Sequence, residues 1–301
     1  MSDTNIKVIV NRDDIVAIAN AVRSKNGTMD EMTLGQIKTG IENIGGDDTS
    51  MEDGLIDGTI TEYTNNRVTN IGRYTFYGHS TLTTANFPAC KTIGSSAFSS
   101  CAKLTSVSFP VCETVYTAAF RQCTSLTSTN FPACKTIGSS AFDNCSKLTS
   151  VSFPVCETIS AYAFRGCTSL VSTNFPTCIY VGSGAFSNCS KLTTVSFPAC
   201  EVIYSYAFNN CAILKSANFP VCTIIHASAF RSCYNLTALY LTGSEVCELK
   251  FSNAFSSTPI GGYSTSAKAY GYIYVPASLL ASYQSATNWS YFSSRILAYD
   301  A

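Results

Sequence analysis

Between residues 76 and 241 apolar side chains return at fixed intervals. Phe76, Phe98, Phe120, Phe142, Phe164, Phe186, Phe208 and Phe230 lie 22 residues apart, and a leucine row from Leu82 and Leu104 to Leu236 keeps the same period. A Phe-Pro pair recurs in register from Phe87-Pro88 to Phe219-Pro220. One unit reads Leu104-x-x-Val107-x-Phe109-x-x-Cys112-x-x-Val115, then Ala119-Phe120 and Cys123. Around Val107 and Phe109 apolar and polar residues alternate, which predicts a short strand, because successive strand side chains point to opposite faces. Pro110 has no N–H to donate and ends it. The Ala-Phe segment has room for at most a turn or two of helix, its Phe packed under the strand. A unit this short cannot bury its apolar face alone, so copies stack, equivalent positions about 4.8 Å apart.

The flanks follow other patterns. Ile15, Ile18, Ala19 and Val22 have helical spacing, as do Leu34, Ile37 and Ile41, with Asn11 or Asp13 and Thr33 as caps. Residues 1–46 are therefore expected to be a short helical segment, 47–59 a linker, 60–241 the solenoid, and 242–301 an irregular last coil and cap. After Leu241 the period fails, although Phe251 and Phe255 keep one irregular coil. The last coil of a stack exposes an apolar face and an edge, so the aromatic tail through Tyr272, Tyr274, Tyr283 and Trp289 is expected to close it.

The spacing Leu-x-x-Val-x-Phe-x-x-Cys resembles a leucine-rich repeat. With the trailing Ile-Gly-x-x-Ala-Phe-x-x-Cys-x-x-Leu it resembles the BspA-like subclass found in bacterial surface and adhesion proteins, over about Ile71 to Leu241. The run Ile18-Ala19-Asn20-Ala21-Val22-Arg23, then Met32-Thr33-Leu34 and a second helix, resembles a module at the N-termini of bacteriophage and prophage structural proteins. Together these imply a mainly β leucine-rich-repeat solenoid of about eight coils, with a short N-terminal helical segment and a C-terminal aromatic cap.

Composition narrows the partners. Only 13% of residues are charged, so Ser, Thr, Asn and Tyr must cover the surface. Lys and Arg number 19, as do Asp and Glu, which leaves no net field to attract nucleic acid or anionic lipid. No signal peptide is visible, nor a stretch approaching the ~18 apolar residues of a membrane span. Fourteen of the 15 cysteines recur every 11 residues from Cys90 to Cys233, giving two ladders of seven. In-register side chains run parallel and seven is odd, which disfavours systematic disulfides, and C-x-x-C metal spacing is absent. They read as small buried hydrophobes.

A period of 44 overlies the first, as Val-Ser-Phe-Pro-Val-Cys-Glu alternates with Thr-Asn-Phe-Pro-Ala-Cys-Lys. Lys91, Glu113, Lys135 and Glu157 then share a surface row of alternating sign, and Arg121, Asp143 and Arg165 another. As exposed pairs they are expected to contribute about 0–1 kcal/mol each.

No nucleotide, metalloprotease or serine-hydrolase motif is present. His79 and His226 are seven coils apart, on the order of 30 Å, and acids are spread singly. The expectation is no enzyme and no cofactor. What remains is the outward strand face: Ser106, Ser128, Ser150, Ser172, Thr194 and Ser216 beside Ser108, Asn130, Ser152, Asn174, Ser196 and Asn218. Such rows hydrogen-bond glycans or a partner's loops, or simply keep a sheet in solution. Exposed Tyr116, Tyr162, Tyr204 and Tyr206 offer contact area with a polar tip. The reading is a non-enzymatic adhesion protein, phage or prophage tail-associated, presenting its solenoid to a protein or glycan on a bacterial surface, with residues 1–46 joining a particle. It would then be virion-associated or extracellular, the alternative being the cell surface or the cytoplasm. The rivals are a structural spacer without a ligand and a bacterial surface adhesin.

Overall fold

The computed structural model describes Ser50–Met51 and residues 61–262 and 264–299; the helices expected in residues 12–44 and the attachment segment 1–46 lie outside the described residues. Each coil supplies two parallel strands. The first has three residues, as in Ser106–Ser108, and the second two, as in Thr114–Val115. Strands of neighbouring coils pair in register 22 residues apart, Ser106 with Ser128 and Thr114 with Thr136. This is the solenoid that the periodicity implies.

The two ladders differ in continuity. The two-residue strands form a single ten-stranded sheet from Ser50–Met51 through Asn70–Ile71 to Glu248–Leu249. The outer ladder falls into three sheets, Glu62–Thr64 to Ser128–Asn130, Ser150–Ser152 with Ser172–Asn174, and Thr194–Ser196 to Ile296–Tyr299. Both breaks follow a coil whose inward middle residue is Thr, Thr129 and Thr173, where its neighbours have Val107, Val151 and Val195. The Oγ1 atoms of both threonines are buried without a hydrogen-bond partner.

Between the ladders the core is continuous, its Leu, Phe, Cys and Ile rows almost wholly excluded from solvent. The phenylalanines make two interleaved stacks. Phe98 lies parallel to Phe120 with centroids 5.1 Å apart, Phe87 parallel to Phe109 at 5.4 Å, and the stacks meet edge to face, as Phe98 and Phe109 do at 5.9 Å. Displaced-parallel and edge-to-face contacts both suit the ring quadrupole. All 15 cysteines are free and buried. Those of one row donate S–H to a carbonyl of the adjacent short strand, Cys112 to Thr114 at 3.4 Å; those of the other reach the previous coil, Cys123 to the Phe98 carbonyl at 3.1 Å.

In the regular coils the Ala-Phe segment is a run of turns without helix, and only in the irregular last coil is it a single 3-10 turn, Ser252–Phe255. Two residues per coil stop one from forming by adopting left-handed backbone, Ala118 (φ 56°) and Gln122 (φ 60°) in one coil, Tyr162 (φ 59°) and Gly166 (φ 71°) two coils on. Left-handed conformation costs a non-glycine residue about 1–2 kcal/mol. It is offset by backbone N–H groups donating to the next coil instead of up a helix, Phe98 to the Ala119 carbonyl at 2.7 Å and Ser100 to that of Arg121 at 2.7 Å. The turn is thus a third ladder.

One charge row departs from its expectation. Lys135 and Glu113 are an exposed pair at 3.1 Å, but the Asp143 side chain is fully buried, taking two bonds from Arg165 at 2.9 and 2.8 Å and one from Arg121 at 3.4 Å. The row faces inward at the turn, where Ser99 and Ser187 are buried too; short side chains tuck under it, and the two arginines reach over from outside. Arg121, Asp143 and Arg165 are therefore an ion triad with a desolvated centre.

The tail closes the stack as expected. Trp289 is buried against Phe255. The free edge of Glu248–Leu249 is satisfied by side chains: Tyr283 Oη accepts from the Cys247 N–H at 2.9 Å, Trp289 Nε1 donates to the Cys247 carbonyl at 2.6 Å, and Asn288 Nδ2 donates to those of Leu249 and Lys250 at 2.8 and 3.1 Å.

Candidate binding face

The alternation of the three-residue strands turns their first and third residues outward. Ser106, Ser128 and Ser150 form one row and Ser108, Asn130, Ser152, Asn174, Ser196 and Asn218 the other, all at least partly exposed. Within the second row the residues pair across coils. Asn130 Nδ2 donates to Ser108 Oγ at 3.3 Å, Asn174 to Ser152 at 3.0 Å and Asn218 to Ser196 at 3.3 Å. Each pair leaves a serine O–H and an amide oxygen for a partner. The 44-residue period thus presents one polar unit three times, two coils apart.

Toward the C-terminal end the rows turn aromatic. Asn218 is followed by Tyr240 and Tyr274, stacked at 4.9 Å, and Tyr299 meets Tyr240 edge-on at 5.5 Å. The tyrosines singled out in the sequence lie elsewhere. Tyr116 and Tyr204 follow the short strands, and Tyr162 and Tyr206 occupy the left-handed turn position, all exposed but away from the Ser/Asn rows. Two of them carry companions, Arg165 over the Tyr162 ring at 4.8 Å and His226 stacked on Tyr204 at 5.0 Å. Burial, with Lys250 nearby, lowers the pKa of His226. His79 is buried, its Nδ1 accepting from the Leu82 N–H at 3.2 Å.

A line of lysines borders the face. Lys103, Lys147 and Lys191 occupy the turn leading into alternate outer strands, all exposed, with Ser125 and Ser169 at the intervening positions. Sequence reading by rows of alternating sign passes over them; their signal is the 44-residue spacing itself. A cleft of about 410 Å³ lies between Val246–Lys250 and Ala286–Trp289, but its walls are the capped strand edge and the mutually paired Glu248 and Lys250. Among the described residues no cluster of three or more His, Cys, Asp or Glu is placed to hold a metal ion, and no helix is long and apolar enough to cross a membrane.

The family model of the BspA type leucine rich repeat region, in six copies, matches residues 59–171 and 157–268, well over half of the chain. The chain belongs to the BspA-type leucine-rich repeat family. Solved structures similar to this BspA-type protein include a leucine-rich repeat protein from Bacteroides ovatus, 21% identical with a TM-score of 0.37; the match covers 64% of this chain and 66% of that one. A leucine rich cell surface protein from Faecalibacterium prausnitzii is 17% identical with a TM-score of 0.43, over 82% of this chain and 94% of that one. The T. pallidum leucine rich repeat protein is 23% identical with a TM-score of 0.42, over 64% and 79%. No curated protein matches the chain.

Proposed function

We propose that this BspA-type protein is a non-enzymatic adhesion protein whose outer strand face recognises a macromolecule on a bacterial surface. The observation behind this reading is the threefold repetition of an exposed Asn–Ser unit on an uncharged sheet face that ends in stacked tyrosines. The test places a bulky charge on the face. Fluorescently labelled protein with Ser128→Glu and Ser150→Glu should lose binding to intact bacterial cells while its thermal transition stays in place. Undiminished binding would remove the face from recognition and leave the structural spacer.

Residues 1–46 are assigned to attachment, on the strength of their resemblance to phage and prophage modules alone, and the protein to a virion or another extracellular setting. A chain beginning at Ser50 should then keep cell binding and lose incorporation into a particle. Loss of cell binding with the solenoid folded would place recognition in residues 1–46 instead.

A further inference from the structure

The neutrality of the whole chain conceals a division. Between residues 61 and 299 Lys and Arg outnumber Asp and Glu two to one, the acidic excess lying in the first sixty residues. Within the solenoid the charges are also sorted by border. Glu113, Glu157 and Glu201 lie beyond the Phe-Pro end of the outer strands, Lys135 pairing with Glu113, and Asp143 is committed to Arg165 and Arg121. The opposite border carries Lys103, Lys147 and Lys191 with no acidic residue in their row. In-register coils put these ammonium groups about 9.6 Å apart, two strand spacings. The Asn–Ser pairs at the far end of the same strands, across the row of Ser106 and Ser150, repeat at the same interval, Ser108, Ser152 and Ser196 each belonging to the coil of one of these lysines.

From this we infer that the outer face takes a linear acidic polysaccharide with one carboxylate per disaccharide, lying along the solenoid axis. The inference rests on the recognition role given to this face above. An extended glycan alternating a uronic acid with an N-acetylhexosamine places a carboxylate on every second sugar, and its disaccharide advances by about the rise of two coils. Each carboxylate then meets one lysine, and the neutral sugar's hydroxyl and amide groups meet the serine O–H and asparagine oxygen of the same two-coil unit. The stacked Tyr240 and Tyr274 continue the row with an aromatic surface on which a sugar's C–H face can lie. A single-stranded nucleic acid fits less well. Its charge recurs at every nucleotide and its bases need aromatic platforms along the groove, whereas here serines separate the lysines and the tyrosines gather at one end.

The full chain is tested with fluorescent hyaluronan oligosaccharides of one to five disaccharides at low ionic strength. Affinity should climb steeply up to three disaccharides, one per lysine, and more gently beyond. Each of Lys103→Gln, Lys147→Gln and Lys191→Gln should weaken binding roughly two- to fivefold, as an exposed ion pair does, and the triple variant should lose it almost wholly. The matched triple Lys91→Gln, Lys135→Gln, Lys250→Gln, which removes equal charge elsewhere, should bind as the parent does. Neutral N-acetylglucosamine oligomers should bind more weakly than hyaluronan. Equal loss in the two triple variants, no loss in the first, or oligothymidylate bound as tightly through the same lysines would each overturn the proposal. If Ser128→Glu with Ser150→Glu still abolishes cell binding while the lysine variants change nothing, only the acidic ligand falls. If that double variant binds cells normally, the recognition face falls with it.

Discussion

The two strand ladders of this solenoid are built from the same repeats, yet one runs unbroken through ten strands and the other is cut twice. The unbroken ladder points Ile or Val inward at almost every step, and thiols of the adjacent cysteine row donate to its carbonyls. The cut ladder carries two threonines whose hydroxyls enter the core and find no acceptor. A thiol is a weak donor that a core tolerates, and here it has a carbonyl in reach; a hydroxyl is strongly hydrated, and burying it unpaired costs about 1–3 kcal/mol. In this stack of near-identical coils, polar atoms with a partner in their own or the neighbouring coil leave the ladder intact, and the two without one coincide with its breaks.

The largest effect expected from this contrast is at alkaline pH. Burial pushes the Cys90 thiol up to about 11 and those of Cys101 and Cys134 up to about 12, and raises others further. An unfolded thiol titrates near 8.5. A folded pKa above the unfolded one gives stability that is complete below the unfolded value and is lost as pH rises toward the folded values, at up to about 1.4 kcal/mol per thiol per unit. With this many buried thiols, unfolding followed by circular dichroism should become abrupt between about pH 9 and 11. Thiol-specific alkylation at neutral pH should leave the native protein unlabelled and label it once denatured. A flat stability profile to pH 11 would mean that the cysteines are not buried as described.

The Asp143 triad tests the same rule with a charge. Replacing both Arg121 and Arg165 by Ala strands a desolvated carboxylate and should cost about 3–5 kcal/mol, read from the denaturation midpoint. Asp143→Asn, which leaves only half-exposed arginines free to rehydrate, should cost much less. Equal costs would mean that the carboxylate is solvated.

Thr129→Val and Thr173→Val should mend the outer ladder. Each removes an orphaned hydroxyl without losing volume and should raise stability by about 1 kcal/mol, with slower amide exchange at Ser150–Ser152 and Thr194–Ser196, the strands after the two breaks. Destabilisation would show that the hydroxyls are satisfied. The smallest effect lies on the border of the unbroken ladder. Lys135→Glu aligns three acids, Glu113, 135 and Glu157, and should cost up to about 1 kcal/mol at low salt, largely recovered at high salt.

Apolar spacing made the solenoid legible from sequence: 22-residue rows of Phe, Leu and Cys admit one stacking, and Pro110 marks where a strand stops. Burial of Asp143 was not legible, because the row pattern that aligned it with arginines cannot say which side of a turn the row faces. The left-handed turns were hidden for a related reason. Tyr162, Gln122 and Ala118 carry none of the usual glycine signal, since inter-coil hydrogen bonds hold them there. At the binding face the Ser/Asn rows follow from strand alternation, but their pairing across coils, and the separation of Tyr116, Tyr162, Tyr204 and Tyr206 from them, depend on where each corner of the coil falls. The lysine line was obscured by a total charge of zero, which sums two oppositely charged regions.

The two-coil unit also bears on inheritance. Because units of 44 residues are nearly interchangeable and each touches only its neighbours, misaligned recombination within the gene can delete or add one in frame and still leave Trp289, Asn288 and Tyr283 sealing the final edge. Descendant alleles would differ by whole steps of length with no point substitution, each step adding or removing one lysine and one Asn–Ser pair, so that reach along a polymer could change in a single generation.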